Sequence, residues 1–242
     1  MDLITGLRTT GAARAFTTEP VDDATIAAIL DDARFAPSGG NRQPWRVAVV
    51  GDRGVRAELA ALMRPVWDAY VTAGSRGVTP FVLGREPEPP HVAGTPNALI
   101  DGIADIPVVL AVAVDLGRVA MMDGALTHRP AVTAGASIYP FCWNVLLAAR
   151  ARGIGGVLTT FAARVEPASG PLLGLPDGWA IAAVLFLGHV ERFPTRLTRR
   201  PVESFTTRDR FDGPVFTPDG SPDTGRSPDT GRSLDTGRSL DT

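Results

Sequence analysis

The residues with the densest chemistry lie in one short string, Ala36-Pro37-Ser38-Gly39-Gly40-Asn41-Arg42-Gln43-Pro44-Trp45. A hydroxyl, two carboxamides and two glycines stand between two prolines, which places many hydrogen-bonding groups on a stiffened connector. Such a segment suits a flat ligand with a polar edge. The same residue types also build a plain turn, so composition alone leaves both readings open.

Other candidate chemistry is thinner. His91, His128 and His189 show no metal-ligand spacing, and no Gly-x-Ser-x-Gly nucleophile elbow occurs. The lone Cys142, in the apolar pattern Phe141-Cys142-Trp143, reads as a buried small hydrophobe and cannot form an internal disulfide. Asp31 and Asp32 are neighbours on a predicted helix, so their carboxylates diverge and read as a solvated face rather than an acid–base pair. The cluster Gly153-Ile154-Gly155-Gly156 follows a predicted helix instead of a strand, which argues against a dinucleotide fingerprint and for a helix stop leading into a strand. All 24 basic residues are Arg, so phosphate or carboxylate recognition must use guanidinium forks or backbone N–H groups. A net charge of −2 with no basic stripe argues against nucleic acid as a partner.

These groups need elements to hold them. With 242 residues and 44% apolar content, the chain can bury a sizeable core. No apolar run approaches the roughly 20 residues of a membrane span, and the N-terminus lacks a basic start and an apolar signal core, so a cytoplasmic protein with no membrane partner is expected. A helix is predicted over residues 21–35, with Asp22 and Asp23 at its N-terminus, Ile26, Ile29, Leu30 and Ala33 on one face, and Pro37 beyond its end. The loop follows, then a strand over 46–50. A second helix is predicted over 54–70, kinked at Pro65. Residues 72–96 are rich in Gly and Pro without periodicity and read as a lid or insertion. A short helix over 97–105 and a buried strand over 106–114 come next. A long helix over 134–152 ends in Arg150, Arg152 and Gly153. A helix over 166–175 and a second buried strand over 179–188 complete the pattern. From Ser221 the repeat Ser-Pro-Asp-Thr-Gly-Arg has too little apolar surface to offset ordering, so one domain over 1–216 and a disordered low-complexity tail over 217–242 are expected.

The string Ala36 to Trp45 resembles the APS-x-x-N-x-QPW signature of the nitroreductase family of FMN-dependent NAD(P)H oxidoreductases. The glycine loop after the long helix and the segment Arg199-Arg200-Pro201-Val202-Glu203 stand in the family's order. The resemblance implies an α+β fold, a central mostly antiparallel sheet wrapped by helices, in a domain-swapped homodimer with one flavin in each interface cleft. It implies that Pro37, Ser38, Gly39, Asn41 and Gln43 line the flavin, that Gly155 and Gly156 bring backbone near its ring, and that Arg199 and Arg200 reach its phosphate. It implies no catalytic side chain and no metal. Hydride passes from NADH or NADPH through FMN to a nitroaromatic, a quinone or another small-molecule acceptor. Divergent relatives keep other readings open: a non-catalytic flavin-binding or storage protein, or flavin-cleaving, dehalogenating or deazaflavin-dependent chemistry.

The N-terminus departs from the family. Where typical members carry R-[RH]-S-x-[RK]-x-F around the flavin phosphate, this chain has Thr10-Gly11-Ala12-Ala13-Arg14-Ala15-Phe16, a run that resembles actinobacterial members. Arg14 and Thr10 remain as donors and Arg8 lies upstream, but a basic residue and a serine have become Gly11 and Ala12. A charge-assisted hydrogen bond contributes roughly 1.5–3 kcal/mol, so uncompensated loss of two donors predicts phosphate binding weakened by a factor of about ten to several thousand.

Overall fold

The computed structural model describes residues 1–82 and 94–217. Its centre is one antiparallel sheet of four strands: β1 (Trp45–Val49), β2 (Val108–Asp115), β3 (Gly155–Thr159) and β4 (Trp179–Gly188), in the order β1-β2-β4-β3. The two most apolar runs of the sequence are therefore the two central strands. Both of their faces are covered, which is why they read as continuous hydrophobic stretches rather than alternating ones. Val108, Leu110 and Val112 point into one half of the core, with Ile26, Ile29, Phe141 and Val145. Val109 and Ala111 point into the other, with Leu59, Met63, Ile100 and Ala162.

The first half is closed by α2 (Asp23–Ala33) and α5 (Tyr139–Ala151), with α1 (Leu3–Thr9) against α5. The second is closed by α3 (Arg53–Ser75), α4 (Ala98–Asp101), α6 (Phe161–Arg164) and α7 (Glu166–Leu172). Asp22 caps α2 through its carboxylate, which accepts from the Thr25 amide at 2.7 Å. The helix α3 runs on through Pro65, whose exposed ring removes a hydrogen bond only on the solvent side. Between α3, β1 and β2 the buried Arg56 guanidinium donates to the carbonyls of Val50 (2.6 Å) and Ile106 (2.7 Å).

Several boundaries move from the predicted ones for local reasons. The expected lid start, 72–75, is the last turn of α3, and Thr72 there is buried. Residues 83–93 lie outside the described residues, but the segment after them is tied to α3: the Asp68 carboxylate accepts from Gly94 N (3.0 Å) and Thr95 N (3.1 Å), and the Trp67 indole donates to Thr95 O (3.0 Å). The helix predicted over 97–105 shrinks to the four residues of α4. The helix predicted over 134–152 divides at Ile138 into a 3₁₀ turn, Thr133–Ser137, and α5, which starts with Pro140 in its first turn.

The chain forms two compact units, Met1–Thr195 and a second from Arg196 onward, where the sequence predicts one domain through Phe216. The first holds the whole sheet. Among the described residues of the second are a 3₁₀ turn, Val202–Ser204, and a bridge between Thr207 and Val215. The repeats from 218 onward lie outside the described residues. Among the described residues no helix is long and apolar enough to cross a membrane.

Candidate functional site

The loop between α2 and β1 is bent by three residues in the left-handed region: Gly40 (φ 61°), Asn41 (φ 53°) and Gln43 (φ 46°). Two of these are not glycine, a conformation that costs about 1–2 kcal/mol per residue and persists only where the surroundings enforce it. They do so here. Gly39 N donates to the Ser137 hydroxyl at 3.1 Å, Asp115 N donates to Pro44 O at 2.8 Å, and Trp45 stacks on Phe141 at 4.8 Å between ring centres. Inside the loop Gln43 N donates to the Ser38 hydroxyl oxygen (3.0 Å) and the Gln43 amide nitrogen donates to the Asn41 side-chain oxygen (3.0 Å). These bonds use one half of each side chain. The Ser38 hydroxyl proton, the Asn41 amide nitrogen and the Gln43 side-chain oxygen are left without a partner among the described residues. Two donors and one acceptor thus stand along a fixed, solvent-facing ridge, which can read the edge of a flat heterocycle. Pro37 and Gly39 are exposed on it as well.

The N-terminal segment lies along the outer edge of β3. Ala12 bridges to Gly156, and Ala13 N donates to Gly156 O at 3.0 Å. Gly155 and Gly156 are buried strand residues, and the chain itself fills the space their side chains would take. A Cβ on Gly155 would lie 2.5 Å from Val190 Cγ1 and 3.0 Å from Ala13 Cβ, and one on Gly156 would lie 2.5 Å from Leu187 Cδ2. Thr10 is also turned inward: it is buried and its hydroxyl donates to Gly6 O at 2.7 Å, so that proton is spent within the chain. Gly11 contributes only backbone, and its N–H already donates to Thr9 O. Arg8 and Arg14 are exposed and make no ion pair among the described residues. Arg199 and Arg200 belong to the second compact unit and are both exposed.

Three features escaped the sequence. Ser137 receives Gly39 across 98 residues, and no local pattern joins them. Arg150, read as a cation at a helix C-terminus, reaches the Thr9 hydroxyl and stacks on Phe193. Asp123 is a buried carboxylate that accepts from Val132 N, Thr133 N, the Thr133 hydroxyl and Arg129, and so ties the 121–133 loop into a knot. The Thr133 hydroxyl first, then the Val132 amide and Arg129, hold its carboxyl far below the usual carboxylate range. Cys142 is fully buried, and burial pushes its thiol up to about 12. Asp31 and Asp32 pair separately with Arg34 and Arg152, as a solvated face does. Among the described residues no three His, Cys, Asp or Glu side chains converge as metal ligands.

Fold and loop together define an α+β protein that presents a preorganised polar loop at the end of a helix-covered antiparallel sheet. The chain belongs to the nitroreductase family, which it matches over residues 7–189. It is 29% identical over 186 residues to the 5,6-dimethylbenzimidazole synthase of Rhodospirillum rubrum, covering 72% of this chain and 75% of that one. It is 27% identical over 234 residues to a nitrobenzene nitroreductase of Ectopseudomonas oleovorans, covering 83% and 94%. Among solved structures, the NADPH:FMN oxidoreductase of Vibrio harveyi complexed with NAD+ aligns with a TM-score of 0.60 at 20% identity, over 86% of this chain and 76% of that one. A nitroreductase with bound FMN from Desulfitobacterium hafniense aligns with a TM-score of 0.54 at 21% identity, over 81% and 93%. At these identities the structural likeness is one of fold.

Proposed function

We propose that this protein is an FMN-dependent oxidoreductase that takes hydride from NADH or NADPH and delivers it to a small-molecule acceptor, a nitroaromatic or a quinone. The observation that carries the reading is the loop ridge. The Ser38 proton and the Asn41 amide are donors, and the Gln43 carbonyl is an acceptor, each left open by the bonds that fix the loop. An isoalloxazine edge carries carbonyl oxygens and an N–H, the complementary set. FMN, when bound, supplies the hydride-accepting and hydride-donating ring. The chain's part is to bind and orient it, with Ser38, Asn41 and Gln43 at the ring and Arg8 and Arg14 toward the phosphate. The reading extends to Gly155, Gly156, Arg199 and Arg200 on the family resemblance alone.

The homodimer belongs to the same reading. Leu3, Ile4 and Leu7 on α1 and Tyr139 and Trp143 on α5 expose apolar side chains on two helices that pack together, a face suited to a second copy. The visible spectrum of the purified protein tests the cofactor: flavin absorption that bleaches under NADH or NADPH and returns on adding nitrobenzene or a quinone is expected. A colourless protein that fails to bind added FMN refutes the reading. The dimethylbenzimidazole synthase relative supports a second one, because 5,6-dimethylbenzimidazole contains the dimethylbenzene ring of flavin. Mass-spectrometric detection of that product from reduced FMN and oxygen would favour flavin cleavage over hydride transfer.

A further inference from the structure

Arg150 stands in the last turn of α5, half-buried, and its bonding is incomplete. Its Nε is shut off from solvent and has no hydrogen-bond partner. Its Nη2 reaches only the Thr9 hydroxyl, at 3.4 Å, and its guanidinium carbon lies 3.6 Å from the centre of the Phe193 ring. Among the described residues no carboxylate pairs with it, whereas Arg152, two residues on, has Asp32 at 2.7 Å. A cation drawn partly out of water without a counter-ion, and a buried N–H without an acceptor, each cost free energy. The C-terminal dipole of α5 offsets a fraction of that cost, and stacking on Phe193 fixes the guanidinium plane without neutralising it.

Its location gives the missing charge a candidate. Thr9 opens the segment that runs through Gly11 and Ala12 to the Ala13–Gly156 hydrogen bond. That is the segment in which a basic residue and a serine are replaced and Thr10 has turned inward. On the FMN reading above, we propose that Arg150 supplies the replaced cation: a fixed guanidinium from the neighbouring helix that binds the phosphate of the cofactor together with Arg8 and Arg14. Phosphate oxygens would then accept from the Nη groups, whose one bond within the chain is the long contact to Thr9, while Nε stays enclosed.

FMN and riboflavin differ only in the phosphate, so their affinities for the flavin-free protein, read by quenching of flavin fluorescence, isolate the effect. The wild-type protein is expected to prefer FMN. Arg150→Met, which keeps an unbranched stem against Phe193, should lose about ten- to a hundredfold in FMN affinity, the size of one charge-assisted hydrogen bond, with riboflavin binding unchanged. Arg150→Lys should regain part of the loss. If Arg150→Met does not fold, Arg150→Gln carries the same expectation. An equal loss for both flavins would show a structural role and overturn the proposal. A retained FMN preference in the neutral variants would overturn it while leaving the cofactor reading intact. A wild-type protein that binds neither flavin would overturn both.

Discussion

Replacing Gly155 by alanine separates two reasons for its missing side chain. The added Cβ would lie 2.5 Å from Val190 Cγ1 and 3.0 Å from Ala13 Cβ. Valine is stiff at its one side-chain torsion. Ala13 has none, so only its backbone can yield, and that backbone holds the 3.0 Å bond from Ala13 N to Gly156 O. Overpacking of this kind costs about 1–3 kcal/mol, against up to about 1 kcal/mol recovered by removing a glycine from a strand. Because neither neighbour can turn aside, the upper part of that range applies, and the net loss of about 1–2 kcal/mol lowers the melting midpoint of a chain this size by about 2–8 °C. The assay is thermal unfolding of the flavin-free protein followed by far-UV circular dichroism, because the clash is with the chain and not with a ligand. A glycine kept small only for a cofactor predicts the opposite sign: an unchanged or slightly raised midpoint without flavin, and a loss only in flavin affinity. That outcome would refute the packing account.

Arg56→Met removes donors from the Val50 and Ile106 carbonyls; at about 1.5–3 kcal/mol per charge-assisted bond, less the relief of desolvating the guanidinium, a loss of about 2–4 kcal/mol is expected in urea unfolding. Asp123 has a folded-state pKa depressed below its ordinary 3.8, so its contribution is complete above that value and is lost only as pH falls below it; the Val132 and Thr133 amides should stay protected from hydrogen exchange at pH 5 and lose protection in Asp123→Ala. Cys142, with its thiol pushed up to about 12 inside the core, should ignore a thiol reagent at pH 8 until guanidinium unfolds the protein, and fast reaction of the native protein would contradict its placement. Ser137→Ala takes the acceptor from Gly39 N and should weaken FMN and riboflavin alike by about fivefold, measured by the same fluorescence titration.

What the sequence makes legible is whatever is local. Strand β4 matches its predicted range, 179–188, because ten consecutive residues without a charge leave no other place for it than the covered centre of the sheet. The acidic start of α2 at Asp22 and Asp23 and the end of α5 before Gly153 follow from single residues with strong positional preferences. Arg56 shows the opposite case: its helical neighbours mark it as one more surface cation, and only the approach of the Val50, Ile106 and Pro107 carbonyls makes it a buried staple. Gly155 and Gly156 stand out in the sequence as glycines, but the reason for them, the N-terminal segment and Leu187 lying against them, depends on chain far away in sequence. Asp123 carries no local signature, since the groups that surround it become neighbours only when the loop closes.

The two halves of the candidate site are built on different physical terms. The Ser38–Gln43 ridge carries three left-handed residues, and the anchors at Ser137, Asp115 and Phe141 hold that strain in place before any ligand arrives. Its open groups are therefore oriented in advance, and binding there need not order the loop. The N-terminal half offers the reverse: Thr10 committed inward, no side-chain donors at Gly11 and Ala12, and solvated arginines at 8 and 14 that lose rotamer freedom when they engage an anion. A cation already fixed on an aromatic ring and short of acceptors, as Arg150 is, loses much less. On the proposed flavin reading, ring recognition and phosphate recognition are thus separable. Changes to the loop or its anchors should act on FMN and riboflavin equally, whereas changes to the guanidinium set should act on FMN alone, and a chain with a weakened N-terminal grip can still select its cofactor by the ring.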